Sequence, residues 1–418
     1  MTVVRDVAVP WAVAREIAVA AARPPAAALV PLSEAGGCRL AEPLRALVAV
    51  PGADVAAMDG YAVAGSGPWR VAGRVLAGGA PFGRALRTGE SVEIATGAPV
   101  PAGASAVLPY ERAVLDSGLD SGLVAGVAEP GRHIRRRGED VAAGAVVLGA
   151  GAVVTPAVLG LAAALGHDAL GVRPRPRVSV LVTGDEVVHE GVPAPGRVRD
   201  AIGPFLPGLV EWAGGRPAGV VRLPDGAAAL RAALQAASDS PGAAALRAAL
   251  QAASDSPGGA AARRCDVVVV CGASSKGPAD HLRAVLADLG AEVLVDGVAV
   301  RPGHPQALAG LPGGPLVVGL PGNPFAAFCA AMTLLVPILA RQAGKERRRE
   351  TSALAGRVRT HPHDTRLVPV RRSGTGAIPV GHDRPGSLWG AALADALAVV
   401  PPGWAGEQVE LIELPAGG

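Results

Sequence analysis

Lysine is almost missing from this chain: Lys276 and Lys345 are the only two among 39 basic residues, the rest being arginine. Aromatic residues are equally sparse at 3%. Alanine and glycine are abundant, so the frequencies of Ala, Gly and Arg reflect a compositional bias and carry no functional argument by themselves. Charge of one sign is also lacking. The formal balance of +3 over 418 residues, with only one short basic run at 345–350, predicts no nucleic-acid partner.

Cysteine is scarce too. Cys38, Cys265, Cys271 and Cys329 are scattered, with no C-x-x-C pair. That spacing excludes a metal finger and a disulfide framework, and reduced thiols in the cytoplasm are the expectation. Arg5, Asp6, Pro10, Arg15 and Glu16 interrupt the first apolar stretch, which does not fit a secretory leader. No charge-free apolar segment reads as a helix of membrane-spanning length, so a soluble protein with no membrane partner is expected.

What is present is half apolar and too long for one core, so two to four domains are expected. Residues 11–22 and 26–48 carry helix-like apolar spacing, broken at Arg23-Pro24-Pro25. From about 50 to 130, short Val-rich segments between Gly and Pro predict a small β domain. "PAVLGLAAALG" at 156–166 has proline at a helix start and glycine at its end. Beyond Pro176 strands and helices alternate: "RVSVLVTGDE", "IGPFLPGLVEWAG", "CDVVVVCG", "PADHLRAVLADLG", "PLVVGLPGNP" and "FAAFCAAMTLLVPILARQ". Alternation of this kind predicts a mainly parallel sheet with helices on both faces. The tail from 350 returns to short strand-like runs, the mark of a second β domain. "GAAALRAALQAASDSP" occurs at 226–241 and again at 242–257. Leu230 and Leu234 give it one turn-spaced face, and a duplication tolerated in a surface connection accounts for it better than an added partner arm.

Chemistry concentrates where strands end. "TGDE", "GASSKG" and "PGNP" all leave strands at the edge where open α/β sheets bind ligands. "GASSKG" has the glycine spacing of a phosphate loop, but Pro278 and Ala279 stand where Lys and Ser/Thr should follow, so the nucleotide signature fails. An anion cradle built from Gly272, Ser274, Ser275, Lys276 and Gly277 and a solvent-exposed turn fit it equally. Asp185 and Glu186 are suited to a divalent cation, or to the start of a helix. Asn323 and Pro324 of "PGNP" suffice to cap and start a helix with no ligand. "AAMDGYAV" offers Asp59 from a glycine turn, and "GRHIRRRGED" packs four arginines beside Glu139 and Asp140, as an oxyanion clamp or as a solvated linker.

Taken in order, "MDGYAV" (58–63), "TGAPVPAGASAV" (96–107), "IRRRGEDV" (134–141), "PRVSVLVTGDEV" (176–187), "GASSKGPAD" (272–280), "RPGHP" (301–305) and "LPGNP" (320–324) resemble the MoeA/gephyrin E-domain family, the molybdopterin molybdenumtransferases. The resemblance covers nearly the whole chain. It implies an α/β multidomain protein: an N-terminal helical/linker domain (1–48 and 132–172), a small β domain (49–131), a central doubly wound, mainly parallel sheet domain of the molybdopterin-binding type (173–343) and a C-terminal β domain (344–418). It further implies a homodimer with its site between the β domain of one subunit and the sheet domain of the other. The implied reaction inserts molybdate into adenylated molybdopterin with loss of AMP, assisted by Mg²⁺ or another divalent cation, with molybdoenzymes as acceptors.

Carried over residue by residue, the resemblance makes Asp59, Asp140, Glu186 and Asp280 the catalytic acids, and Asp185, Glu186 and Asp200 the metal ligands. Substrate would be held by Thr96, Gly97, Arg135, Thr183, Gly184, Gly272, Ser274, Ser275, Lys276, Gly277, Arg301, Pro302, Gly303, Pro321, Gly322 and Asn323. The chain departs from the family at Ala56, Ser105, Ala201, Ile202, Ala273 and His304, which leaves the acids intact and thins the polar shell. Two alternatives follow: a molybdopterin adenylyltransferase, against which the β segments argue, and a non-catalytic or altered-substrate paralogue that binds molybdopterin.

Overall fold

The computed structural model describes residues 8–115, 122–238, 265–272, 281–345, 349–374, 376–406 and 408–415. The chain divides into two compact units, Ala28–Val172 and a second made of Met1–Ala27 with Arg173–Gly418.

The first unit carries a six-stranded sheet of β1 (Gly60–Val63), β2 (Trp69–Val75), β3 (Glu90–Ile94), β4 (Ala106–Pro109), β5 (Val114–Leu115) and β6 (Leu123–Ala125), in the order β5-β6-β2-β3-β1-β4. Both β1 and β4 are buried along their whole length, so they lie inside the sheet stack. Ala62, Val75, Val92, Ile94 and Val107 fill one apolar cluster, and Tyr61, Val63, Trp69 and Leu108 another. Alternating side chains of the same strands therefore serve both faces. Gly60 is obligatory there: with φ +157°, a Cβ on it would stand 2.1 Å from the Leu108 carbonyl oxygen across the β1–β4 pairing.

The expected helix over 26–48 is not formed. Strand Ala28–Pro31, one helical turn Leu32–Ala35, and strands Arg39–Leu40 and Leu44–Arg45 take its place. Pro31, Gly36, Gly37 and Pro43 interrupt any helical ladder, and with Leu29 exposed and Val30 buried the spacing serves a strand. The helix Pro156–Ala164 forms as expected, with Thr155 Oγ1 accepting from Val158 N at 3.3 Å.

The second unit is built on β7 (Arg177–Thr183), β8 (Arg216–Leu223), β9 (Val267–Cys271), β10 (Glu292–Asp296), β11 (Ala307–Gly310) and β12 (Leu316–Leu320), in the order β8-β7-β9-β12-β11-β10. The first four strands in that order run parallel, and β11 and β10 are antiparallel. Helices cover both faces, as the alternation predicts. On one side lie α1 (Trp11–Ala21), α2 (Leu206–Ala213) and the helix Pro324–Gln342; on the other lie Ala227–Ser238 and Leu282–Asp288. Numbered in chain order, the last three are α5, α3 and α4. Leu230 and Leu234 of α3 are buried, so the first repeat copy is a helix with the expected face. The second copy, 242–257, lies outside the described residues.

The apolar run at 325–342 forms the expected helix as α5, 19 residues long with a mean hydropathy of 1.7 and carrying Arg341 in its last turn. It is 83% buried against the sheet, the position of a core helix. Its middle, Ala331–Leu335, is a π segment. Thr333 Oγ1 donates to Cys329 O at 2.8 Å and accepts from Trp11 Nε1 at 3.2 Å, while Arg15 Nη1 reaches Met332 O at 3.0 Å. The loosened ladder thus presents partners to α1.

The tail strands β13 (Glu350–Ala353), β14 (Thr365–Ser373), β15 (Gly376–Pro379), β16 (Ala396–Val400) and β17 (Gln408–Glu413) form a sheet that Val298–Arg301 and Val9–Pro10 extend beyond β14. The tail sheet therefore borrows strands from outside the tail.

Candidate functional site

Three strand-end loops of the sheet unit come to one point. Thr183 Oγ1, at the end of β7, donates to Cys271 O at the end of β9, 3.1 Å away and buried. Gly272 N donates to Leu320 O at the end of β12 at 3.2 Å. A Cβ on Gly272, whose φ is +96°, would stand 2.8 Å from Thr183 O, and one on Gly322 would stand 3.8 Å from Gly272 Cα. Only glycine allows the β9 loop to leave its strand between the other two. Thr183, Gly184, Gly272, Pro321, Gly322 and Asn323 are thus neighbours at the carboxyl edge. Ser274, Ser275, Lys276, Gly277, Asp280 and the substituted Ala273 lie outside the described residues.

The acids around this edge are held mainly by backbone N–H groups. Asp200 Oδ1 accepts from Ile202 N at 3.0 Å and Gly203 N at 2.9 Å, and its Oδ2 lies 3.4 Å from His189 Nδ1, with only 7% of the side chain exposed. Asp185 and Asp225 bracket each other: each carboxylate accepts from the other's backbone N–H at 3.2 Å. Arg197 donates to the Asp185 carbonyl. The carboxylate of Glu186 turns back beside Gly184. Burial pushes the Cys271 thiol far up, with Asp200 adding to the effect, so it is no thiolate nucleophile.

The expected cation site does not assemble from Asp185, Glu186 and Asp200. Among the described residues no three His, Cys, Asp or Glu side chains group closely enough to hold a metal ion. Asp200 and Asp185 each already have an oxygen on N–H donors, so the described residues do not fit Mg²⁺ and no step is routed through one here.

Two expected anion contacts are also differently employed. Arg301 Nε donates to Asp364 Oδ2 at 2.7 Å, and Pro302 and Gly303 are buried, a Cβ on Gly303 meeting Ala326 O at 3.0 Å. The first N–H groups of α5, at Phe325 and Ala326, donate to Pro385 O of the tail at 2.8 and 3.2 Å. The helix start that "PGNP" opens is therefore already capped.

In the β unit, Asp59 Oδ1 accepts from Thr96 N at 2.7 Å, which ties "MDGYAV" to "TGAPVP". Gly97 N donates to Ala56 O at 2.8 Å, and Ile134 and Arg135 pair in register with Ala56 and Val55. So Asp59, Thr96, Gly97 and Arg135 surround one short segment. The arginine cluster is mostly neutralised: Arg135 pairs with Asp140, and Arg136 Nη1 with Asp54 Oδ2 at 2.6 Å. Arg137 N also donates to Asp54 at 2.9 Å, and that bond, then Arg136, holds the Asp54 carboxyl below its usual range.

Three family models match the chain in order: "MoeA N-terminal region (domain I and II)" over 9–166, "Probable molybdopterin binding domain" over 242–341 and "MoeA C-terminal region (domain IV)" over 351–414. The chain belongs to the MoeA family. A molybdopterin molybdenumtransferase 2 of Mycobacterium tuberculosis is 38% identical over 327 residues, 74% of each chain. The molybdopterin molybdenumtransferase of Synechococcus elongatus is 33% identical, again over 74% of each. The crystal structure of a molybdopterin biosynthesis MoeA protein from Pyrococcus horikosii superposes with a TM-score of 0.67 at 27% identity, covering 98% of this chain and 100% of that one. The MoeA fold is thus established for this chain.

Asp225, His189, Asp364 and Pro385 were not legible as site neighbours. Only Asp225 had a local signal, the Pro224-Asp225-Gly226 turn at the end of β8.

Proposed function

We propose that this chain is a molybdopterin molybdenumtransferase, which inserts molybdate into adenylated molybdopterin and releases AMP. We further propose that it works in the cytoplasm as a homodimer, with molybdoenzymes as acceptors, and that its four parts are those expected from the sequence. The observation that carries the reading is the meeting of the β7, β9 and β12 loops at the carboxyl edge, with Gly272 wedged against Thr183 and Gly322. Membership in the MoeA family and the names of its relatives support the same reaction.

Both substrates carry anionic groups, so backbone N–H groups and cations are what the site must offer. Thr183, Gly184, Gly272, Pro321, Gly322 and Asn323 supply close backbone approach. Ser274, Ser275, Lys276, Gly277 and Asp280 enter on the family resemblance alone. Arg135 is held by Asp140 in an exposed pair, which solvent screening keeps weak. A phosphate can therefore take the guanidinium away from Asp140 at small cost. Asp59 is oriented by Thr96 N, which fixes one oxygen and leaves the other for substrate.

The test is AMP release from adenylated molybdopterin with Mg²⁺ supplied, in the presence and absence of molybdate. Molybdate-dependent release is expected, with Asp59→Ala reducing it at least tenfold at unchanged thermal stability. Binding of molybdopterin with no AMP release would turn the reading into that of a non-catalytic paralogue.

A further inference from the structure

The arginine-rich stretch is only partly accounted for by the site above. Arg135 and Arg136 are neutralised by Asp140 and Asp54, but Arg132 faces elsewhere. With Arg112, Glu129 and His133 it lines a cavity of about 330 Å³ in the β unit, which Val107 and Pro109 of β4 also line. Neither Arg112 nor Arg132 makes an ion pair among the described residues, and His133 Nε2 is buried with no hydrogen-bond partner. An unpaired buried ring nitrogen costs free energy unless something outside the chain satisfies it.

The backbone keeps this wall in place. Val107 N donates to Arg132 O at 3.0 Å, Ala57 N to His133 O at 2.9 Å and Gly131 N to Ser105 O at 2.7 Å. His133 holds φ at +58°, among the described residues the one non-glycine with positive φ. That is a sparsely populated conformation for a residue with a side chain, and the backbone bonds of its neighbours hold it beside the cavity.

We infer that Arg112, Arg132 and His133 form an oxyanion site that takes a phosphate-class ligand. Two guanidinium groups against the single Glu129 carboxylate leave the wall net positive, and guanidinium forks match tetrahedral oxyanions in pairs. The cavity is wider than a bare tetrahedral anion needs, so a phosphate monoester of a small organic group fits as well as an inorganic ion. The site does not depend on the transferase reading.

Equilibrium dialysis of the full chain against molybdate, inorganic phosphate and glycerol phosphate tests it, because direct binding is independent of AMP release. The double variant Arg112→Gln/Arg132→Gln should lose one binding equivalent per chain, with affinity at that site falling at least tenfold. Arg112→Lys/Arg132→Lys keeps the charge without the fork and should weaken binding by less than the glutamine variant does. It also serves if the glutamine variant does not fold. His133→Asn keeps a residue that accepts positive φ and should weaken binding about threefold. Tighter binding of glycerol phosphate would identify an ester as the ligand, and tighter molybdate or phosphate an inorganic ion. Unchanged stoichiometry and affinity in a folded glutamine variant, or loss of binding equal to it in the lysine variant, would overturn the assignment.

Discussion

Asp200 of the sheet unit and Asp140 of the β unit are held in opposite ways. Asp200 is nearly buried and accepts from two backbone N–H groups of its own turn. Asp140 is much more exposed and leans on the Arg135 side chain, while Asp54, also exposed, accepts from both the Arg137 N–H and the Arg136 guanidinium. Backbone donors cannot move away, whereas a guanidinium on a flexible stem can exchange one anion for another. Asp200 therefore fixes loop geometry, while Arg135 stays in an exchangeable pair with Asp140.

Removing the backbone-held acid should do most damage. Asp200→Ala leaves the N–H groups of Ile202 and Gly203 without their acceptor and should destabilise the sheet unit by about 2 kcal/mol, read as a lowered denaturant midpoint. Asp200→Asn sharpens the point, since its amide oxygen still accepts from both. If it proves as harmful as alanine, charge toward His189 rather than loop capping is what matters. Asp225→Ala breaks one side of the bracket with Asp185, and because the pair is exposed the expected loss is about 1 kcal/mol.

Asp54→Ala is the counterpart in the β unit and should cost no more than about 1 kcal/mol, since the Arg136 pair is exposed and the freed Arg137 N–H can turn to water. A loss as large as that of Asp200→Ala would break the comparison. The smallest effect is a pH dependence at Glu90. The hydrogen bond from Arg84, then that from Arg87 N, lowers its carboxyl to about 2. A depressed folded-state pKa gives stabilisation that is present above the ordinary carboxylate pKa and is lost as pH falls through about 2. Glu90→Gln should lower neutral-pH stability by that small contribution and leave stability near pH 2 almost unchanged, which flattens the acid limb of a stability–pH profile.

Much of this architecture was readable from local pattern. The apolar runs of β9 and β12 and the largely apolar β7 read as strands buried on both faces, and the helices between them favour a mainly parallel sheet. The helix expected over 26–48 failed because apolar spacing alone does not register the prolines and glycines that break the ladder. The helix α5 was legible as the apolar run "FAAFCAAMTLLVPILARQ", because burial on nearly every side leaves no polar face to interrupt it. Of the site, the loops at the sheet edge were legible because strand ends and glycines are local signals. The partners of Asp185, Arg301 and the α5 N-terminus were not, since Asp225, Asp364 and Pro385 lie 40 or more residues away in sequence.

By itself the sequence determined the fold class, the order of the motifs and the places where only glycine can stand, because strand periodicity and backbone sterics act over a few residues. Only the tertiary structure decided which charges are free to meet a ligand. Arg132, Arg135 and Arg136 are indistinguishable along the chain, but Asp140 and Asp54 neutralise two of them while Arg132 turns to a cavity with Arg112. Charge pairing depends on what the fold brings within a few ångströms, and for Arg136 that partner is 82 residues away.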